Sequence, residues 1–180
     1  MKEPFSSTAF RLMAMGAALK DPFGKRVHFL KQLGIETGMH VVDYGCGTGA
    51  YIPLASRLVG PEGLVTALDS HPLAIQSVNE KAFRKGLTNV MGRLVRGEST
   101  PLEDASVHII FALDMFYMVK NPKTLLKEMH RILTPEGFLF LDPVKLSRTS
   151  LIKAIKESRL FLLDGEVSHC FRLRPVVARL

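Results

Sequence analysis

Short apolar runs alternate with amphipathic stretches along the middle of the chain, and this alternation predicts parallel strands joined by crossover helices. The apolar runs, each predicted to be a strand, lie at 41–44, 64–69, 90–95, 107–113 and 138–141. Helical spacing of apolar residues predicts helices between them over about 50–59, 72–85 and 122–133. The run at 107–113 is nearly all apolar, which is typical of a central strand that is covered on both faces.

Both ends of the chain carry further predicted elements. Helical spacing predicts helices over about 6–19 and 25–33, separated by Asp21-Pro22-Phe23-Gly24. After Pro143 a helix is predicted over about 147–158, followed by apolar runs at 160–163 and 167–173. The Asp164-Gly165 dipeptide between these two runs is typical of a hairpin turn. The two runs are therefore predicted to form a hairpin of two strands.

The first predicted strand ends in the glycine-rich stretch Asp43-Tyr44-Gly45-Cys46-Gly47-Thr48-Gly49. Alternating glycines permit positive φ and remove Cβ atoms, so a ligand can approach the N–H groups at a helix start. The spacing also fits a dinucleotide fingerprint through Gly45, Gly47 and Ala50, so the pattern alone leaves two cofactor classes open. Asp43 decides between them, because its carboxylate repels a pyrophosphate but attracts an ammonium and a sulfonium. The sequence therefore predicts S-adenosylmethionine as the cofactor.

The same stretch resembles the first motif of the class I S-adenosylmethionine-dependent methyltransferases, which has the form E/D-x-G-x-G-x-G. The resemblance runs from about Gly38 to about Leu141 and is nearest to small-molecule members similar to the quinone-biosynthesis methylases. It implies a doubly wound, Rossmann-like α/β fold with a seven-stranded, mostly parallel sheet in the order 3-2-1-4-5-7-6, closed by an antiparallel last strand. We expect one methyltransferase domain over residues 1–180, with helices within 1–33 covering the cofactor pocket.

Candidate cofactor-binding residues follow from the predicted strand ends and from the resemblance. Asp69 ends the second predicted strand, where its carboxylate can accept hydrogen bonds from both ribose hydroxyls. Two alignments of the loop after the third strand place either Glu98 or Arg96 at the adenine amino group. Glu98 with the Ser99 backbone is favoured, because Arg96 cannot accept a hydrogen bond from an amine. The full set is Asp43, Gly45, Cys46, Gly47, Gly49, Asp69, Ser70, Glu98, Ser99 and Leu113.

The end of the fourth predicted strand supplies the catalytic candidates Asp114 and Tyr117, because open parallel sheets bind ligands beyond their carboxyl ends. Asp114 could deprotonate or orient an acceptor, and a solvated acid or a partner of the cofactor's ammonium is an equal interpretation. Phe116, Tyr117 and Met118 could form an apolar wall, although core packing is the commoner role of such residues. Because a sulfonium already activates its methyl group, we expect catalysis mainly by positioning.

Composition and charge indicate the class of protein and the kinds of partner that it could bind. Hydrophobic residues make up 47% and charged residues 23% of the 180 residues, which is typical of a globular domain. The net charge of +7 favours anionic partners, but the basic residues are scattered, so a nucleic-acid substrate is not favoured. Two cysteines offer no disulfide framework, and the six histidines show no metal-ligand spacing. We therefore expect a cytoplasmic protein with no bound metal.

The lengths of the apolar runs and of the connection after the fifth predicted strand bear on membrane insertion and on the acceptor. No apolar run reaches the roughly twenty residues of a membrane span, so we expect neither membrane insertion nor export. The short connection after the fifth predicted strand favours a small or flat acceptor, or one partly enclosed by the second subunit of a homodimer. Three hypotheses remain: a small-molecule methyltransferase, an RNA or protein methyltransferase, and a protein that binds the cofactor without turnover.

Overall fold

The computed structural model describes residues 25–177, and a seven-stranded sheet is its central feature. The strands are β1 (His40–Tyr44), β2 (Leu64–Asp69), β3 (Val90–Leu94), β4 (Val107–Ala112), β5 (Leu133–Leu141), β6 (Phe161–Val167) and β7 (Cys170–Pro175). Their order in the sheet is β3-β2-β1-β4-β5-β7-β6. Strands β1 to β5 pair in parallel, and β7 is antiparallel to both β5 and β6. The predicted fold class and strand order are confirmed.

Helices connect the strands and cover the two faces of the sheet. They are α1 (Lys25–Gln32), α2 (Ile52–Val59), α3 (Pro72–Lys85), α4 (Pro122–Ile132) and α5 (Arg148–Ser158), with a 3₁₀ helix at Phe116–Met118. The helix α1 confirms the second of the two predicted N-terminal helices, and the first, over 6–19, lies outside the described residues. The expectation that both cover the cofactor pocket stays a prediction.

The core is divided by the sheet into two apolar layers, because successive strand residues point to opposite faces. Val42, Ile110 and Leu139 belong to the layer under α4 and α5. Val41 and Ile109 belong to the layer under α1, α2 and α3. Because both faces of the sheet are buried, the sequences of the parallel strands are nearly continuous apolar runs. Since β1 lies between β2 and β4, its glycine-rich end emerges near the middle of the sheet.

The predicted hairpin turn at Asp164-Gly165 is wrong. Strand β6 continues through both residues, and the two-residue turn is Ser168-His169, between the paired residues Val167 and Cys170. Gly165 has a φ of 142° and lies at a register shift, so the glycine permits a bulge rather than a reversal. The Asp164 carboxylate forms an ion pair with Arg172 Nη2 on β7 at 2.8 Å, and Nη2 also donates a hydrogen bond to the Asp164 carbonyl at 3.3 Å. These contacts link the bulge to the neighbouring strand.

Two element boundaries also differ from the prediction. Strand β5 begins at Leu133 rather than at Phe138. Leu133 pairs with Val107 and Phe138 pairs with Ile109, so residues 134–137 bulge from the ladder, where Pro135 has no N–H to donate. Helix α2 begins at Ile52 rather than at Ala50, which leaves the whole of residues 45–51 available as a loop at the end of β1.

Candidate cofactor and acceptor site

The predicted site residues collect at one edge of the sheet, where the parallel strands end. We call this the carboxyl edge and define it as residues 43–49, 69–71, 95–99, 113–118 and 142–145. Asp43 lies beside Ala67 of β2 and Phe111 of β4 in the sheet register, and Asp69 ends the adjacent strand β2. Hydrogen bonds join the glycine-rich turn to Asp69, whereas Asp114 follows β4 on the other side of β1.

Asp43 is a buried carboxylate at the centre of this edge. Only 3% of the residue is exposed, and its Oδ2 atom has no hydrogen-bond partner within the described residues. Burial raises the pKa of Asp43 to about 8; the nearby charge of Asp69 adds to this rise and that of Lys81 opposes it. A buried acceptor without a partner is costly, so this position fits a ligand that brings a donor and a positive charge.

Backbone hydrogen bonds fix the glycine-rich turn against the end of β2. The Gly45 and Cys46 N–H groups donate to the Leu68 carbonyl at 2.8 and 3.0 Å. The Gly47 N–H donates to Asp69 Oδ2 at 2.9 Å, and the His71 N–H donates to Asp69 Oδ1 at 2.8 Å. Burial raises the pKa of Asp69 and these N–H groups oppose the rise. Because a carboxylate has about four lone-pair sites, Asp69 retains acceptor capacity for ribose hydroxyls.

The three motif glycines have different surroundings. A Cβ at Gly45 would lie 2.9 Å from Met115 Cβ, and one at Gly49 would lie 2.8 Å from Val78 Cγ2, so both glycines permit close packing. A Cβ at Gly47 would have no protein atom within 4 Å among the described residues, although its φ is 51°. Gly47 therefore faces the open space in which a ligand could approach the turn.

Lys81 on helix α3 contacts the glycine-rich turn. Sequence analysis did not identify this residue. Its Nζ atom donates to the carbonyls of Thr48 and Gly49 at 2.6 and 2.8 Å. Ser77, one helical turn earlier, donates to the Thr48 carbonyl at 3.4 Å. A lysine on a crossover helix is usually solvated, but its position three residues after buried Val78 was a usable signal, because i and i+3 share a helix face.

The candidate adenine loop is a tight turn. Arg96 and Ser99 form an isolated antiparallel bridge around Gly97, whose φ is 78°. Glu98 is half-buried, whereas Arg96 and Ser99 are exposed. Burial raises the pKa of Tyr44, and the charges of Glu128 and Glu98 raise it further, which places Glu98 in the electrostatic environment of the end of β1. The expected contact of Glu98, rather than Arg96, with adenine stays a prediction.

A partly buried ionic network holds this loop against helix α4, and sequence analysis did not identify it. Glu128 Oε1 accepts hydrogen bonds from the Thr100 N–H and hydroxyl at 2.6 and 2.7 Å. Arg131 donates to Glu128 through Nε and Nη2 and also to Asp104. These bonds lower the pKa of Glu128 although burial opposes the change. The network therefore positions the loop that carries Glu98.

The catalytic candidates lie beside residues that follow β5. Asp114 is exposed, and its backbone N–H donates to both carboxylate oxygens of buried Asp142 at 2.9 Å. Tyr117 is half-buried and its hydroxyl accepts a hydrogen bond from Lys145 Nζ at 2.7 Å. Phe116 is buried in the core layer under α4, so it supports the site as core packing rather than as an open wall.

A cavity of about 430 Å³ lies at the opposite edge of the sheet, lined by residues such as Met39, His108 and Gly137, and it does not touch the carboxyl edge. His108 there accepts a hydrogen bond from the His40 N–H at 3.0 Å. Across residues 25–177, no three His, Cys, Asp or Glu side chains are grouped to hold a metal ion, and no helix is long and apolar enough to cross a membrane.

Comparison with known proteins decides the family. A model of the methyltransferase domain matches residues 35–169, which include the glycine-rich turn, strands β1 to β6 and the final hairpin turn. The chain belongs to the class I S-adenosylmethionine-dependent methyltransferases. The family resemblance predicted from the sequence is thereby confirmed.

Similar proteins include enzymes with different acceptors. The chain is 32% identical over 116 residues to a demethylmenaquinone methyltransferase of Staphylococcus aureus, covering 63% of this chain and 46% of that protein. It is 27% identical over 131 residues to the sterol 24-C-methyltransferase ERG6A of Gibberella zeae, covering 71% of this chain and 34% of that protein. The chain thus spans half or less of the length of these curated relatives.

A solved structure matches over nearly the whole chain. The crystal structure of a SAM-dependent methyltransferase from Aquifex aeolicus superimposes with a TM-score of 0.78 and 25% sequence identity. The match covers 96% of this chain and 98% of that protein. The domain therefore has a structural counterpart of similar extent.

Proposed function

We propose that this methyltransferase domain transfers a methyl group from S-adenosylmethionine to a small-molecule acceptor at the carboxyl edge. The observation that carries the proposal is the unpartnered Oδ2 atom of buried Asp43 beside a glycine turn that leaves open space at Gly47. The ammonium at the amino-acid end of S-adenosylmethionine would donate a hydrogen bond to this oxygen and carry the opposite charge, whereas the carboxylate would repel a pyrophosphate. Similarity to small-molecule methyltransferases supports the same choice.

The cofactor contacts are assigned by the position of each residue along the edge. Asp43 would accept hydrogen bonds from the ammonium group, and Asp69 would accept them from the ribose hydroxyls. Glu98 and the Ser99 backbone would contact adenine. The remaining members of the proposed binding set line the same edge: Gly45, Cys46, Gly47, Gly49, Ser70 and Leu113.

The chemical contribution of the chain is binding and orientation. S-adenosylmethionine, when bound, supplies a methyl group activated by its sulfonium charge. Asp114 and Tyr117 would orient the acceptor, and buried Met115 and Phe116 give these residues a rigid apolar base. No nucleophile from the protein is required, because an atom of the acceptor would bond to the methyl carbon while the sulfur–methyl bond breaks and S-adenosylhomocysteine leaves.

Titration calorimetry tests the cofactor assignment. We expect S-adenosylhomocysteine to bind at least about tenfold more tightly than NAD, because only the former offers an ammonium to Asp43 without a pyrophosphate. Incubation with methyl-labelled S-adenosylmethionine and fractionated metabolites, RNA or protein then identifies the acceptor class. Equal affinity for NAD would contradict the assignment, and labelling of RNA or protein alone would contradict a small-molecule acceptor. Cofactor binding with no labelled product in any fraction would favour binding without turnover.

If catalysis depends on positioning, single substitutions near the acceptor should have modest effects on kcat. We expect Asp114→Asn and Tyr117→Phe each to lower kcat by about tenfold or less on an identified acceptor, because neither side chain forms a covalent bond in the reaction. Met118→Ala should have a comparable effect by loosening the acceptor position. The measurement is kcat as a function of pH for all three variants. A loss beyond about 10⁴-fold in Asp114→Asn, with disappearance of the acid limb, would instead identify a general base.

A further inference from the structure

Lys145 meets the two catalytic candidates at the acceptor side of the carboxyl edge. Its Nζ atom donates a hydrogen bond to the Tyr117 hydroxyl at 2.7 Å and lies 4.3 Å from the centroid of the tyrosine ring. The same atom is 3.8 Å from Asp114 Oδ1. Side chains that follow two neighbouring strands, β4 and β5, therefore converge on one point.

The backbone at this point is strained. Asp114 and Lys145 have φ values of 52° and 58°, a region that side chains with a Cβ rarely adopt. The other non-glycine residues with positive φ in the described part of the chain are Ala105, Arg159 and Ser168, none of which lies at the carboxyl edge. Buried Asp142 holds the strained residue Asp114 by accepting its N–H with both oxygens at 2.9 Å. Strain that the surroundings enforce in this way clusters at functional sites.

The Lys145–Tyr117 pair retains hydrogen-bond donors for a ligand. An ammonium has three N–H donors, and the contacts with Tyr117 and Asp114 occupy at most two of them. Because the Tyr117 oxygen accepts from Lys145, its own O–H is available to donate elsewhere. The hydrogen bond to Tyr117 raises the pKa of Lys145, so the ammonium stays charged at neutral pH.

The Asp114 carboxylate offsets this positive charge only weakly. Its distance of 3.8 Å from Nζ is close to the limit for an ion pair, and the Asp114 and Lys145 side chains are 62% and 58% exposed. Water screens an ion pair at such an exposed position. The site therefore offers one permanent positive charge and two donors beside the catalytic candidates Asp114 and Tyr117.

We propose that Lys145 and Tyr117 bind an oxygen of the methyl acceptor, and that the acceptor is a small molecule with an anionic oxygen, either a carboxylate or a phenolate. This inference rests on the proposed methyl transfer and deepens it. An anionic oxygen is favoured over a neutral one, because it adds Coulomb attraction to the ammonium of Lys145, and a bound acceptor would displace part of the water that screens this attraction, while the Asp114 carboxylate is more distant. Lys145 is a binding residue in this arrangement and forms no covalent bond.

Matched ligand pairs test the proposal in protein saturated with S-adenosylhomocysteine. The probes are benzoate against benzamide and 4-nitrophenolate against 4-nitroanisole, with affinities measured by NMR titration. We expect at least one anion to bind about tenfold more tightly than its neutral partner, and we expect Lys145→Met to abolish this preference. Lys145→Arg should keep most of the preference, and Tyr117→Phe should reduce it by removing one donor. Which pair shows the preference identifies a carboxylate or a phenolate as the anionic oxygen that Lys145 and Tyr117 bind.

Lys153→Met is the matched control, because it removes the same charge from an exposed site on α5, where Lys153 is 74% exposed beside Glu157. It should leave the anion preference unchanged. The proposal is overturned if neutral partners bind as well as both anions, if no anion binds, or if Lys145→Met keeps the preference. Binding of S-adenosylhomocysteine is measured first: its absence would contradict the proposed function, whereas its presence without an anion preference contradicts only the present inference.

Discussion

Asp43→Asn is expected to weaken the binding of S-adenosylhomocysteine by about 10- to 100-fold, the loss of one hydrogen bond to a charged group. Asparagine has nearly the same shape as aspartate but carries no charge, and its amide nitrogen is a donor that cannot accept from an ammonium. Titration calorimetry of both proteins measures the effect. Glu157→Gln is a suitable control, because it makes the same change in charge on α5, where the glutamate is 66% exposed. Unchanged affinity in Asp43→Asn would remove the main support for the proposed cofactor.

The same variant is expected to change the pH dependence of stability in the ligand-free protein. Because the pKa of Asp43 is raised from 3.8 to about 8, the folded state retains a proton that the unfolded state has lost. The free energy of unfolding should therefore decrease as the pH rises from about 4 to about 8, and this contribution should be absent in Asp43→Asn. Thermal denaturation across this range tests the sign. A variant that becomes less stable than the wild type near pH 8 would show that the carboxylate is stabilised in the folded state.

Cofactor affinity should show the opposite trend with pH. Binding of an ammonium requires the ionised form of Asp43, so the affinity of the wild type should increase as the pH rises towards about 8. The amino group of the ligand titrates near pH 8 as well. The Asp43→Asn variant is the control for that effect, because the pH dependence of its affinity reflects only the titration of the ligand and of the other protein groups. A smaller slope in the variant is the expected result.

The fold could be predicted from the sequence where local patterns and burial agree. Helix α4 is an example, since Asn121 caps it and Leu125, Leu126 and Met129 are buried at the predicted spacing. The hairpin turn at Ser168-His169 could not be placed from the sequence, because the Asp164-Gly165 dipeptide suits a turn or a bulge. The pairing of Arg172 with Asp164 comes from the neighbouring strand, and local sequence does not contain that information.

The sequence likewise predicted some residues of the candidate site and not others. Asp43 and Asp69 could be predicted because a carboxylate at the end of a buried parallel strand is positioned by the strand itself. Lys81 reaches the glycine-rich turn from a helix 32 positions further along the chain. Lys145 reaches Tyr117 only because β4 and β5 are neighbours in the sheet. Both lysines are typical of solvated surface positions in the sequence, so their contacts required the tertiary structure.

Gly47→Ala is expected to abolish most cofactor binding while the protein remains folded. Its added Cβ would meet no described protein atom within 4 Å, so the cost to folding should be the strain at a φ of 51°, about 1–2 kcal/mol. The methyl group would instead occupy the open space beside the turn, where we propose that the cofactor binds. We expect a loss of S-adenosylhomocysteine affinity of more than about tenfold, measured by calorimetry.

Gly86→Ala separates the effect on binding from the effect on the backbone. Gly86 ends helix α3 with a φ of 62°, and its added Cβ would likewise meet no described protein atom within 4 Å. The two variants should therefore lose similar stability in thermal denaturation, because both place alanine in the left-handed region. Only Gly47→Ala should lose cofactor affinity. If both variants bind S-adenosylhomocysteine as tightly as the wild type, the space beside Gly47 does not hold the cofactor, and the proposed position of the binding site is wrong.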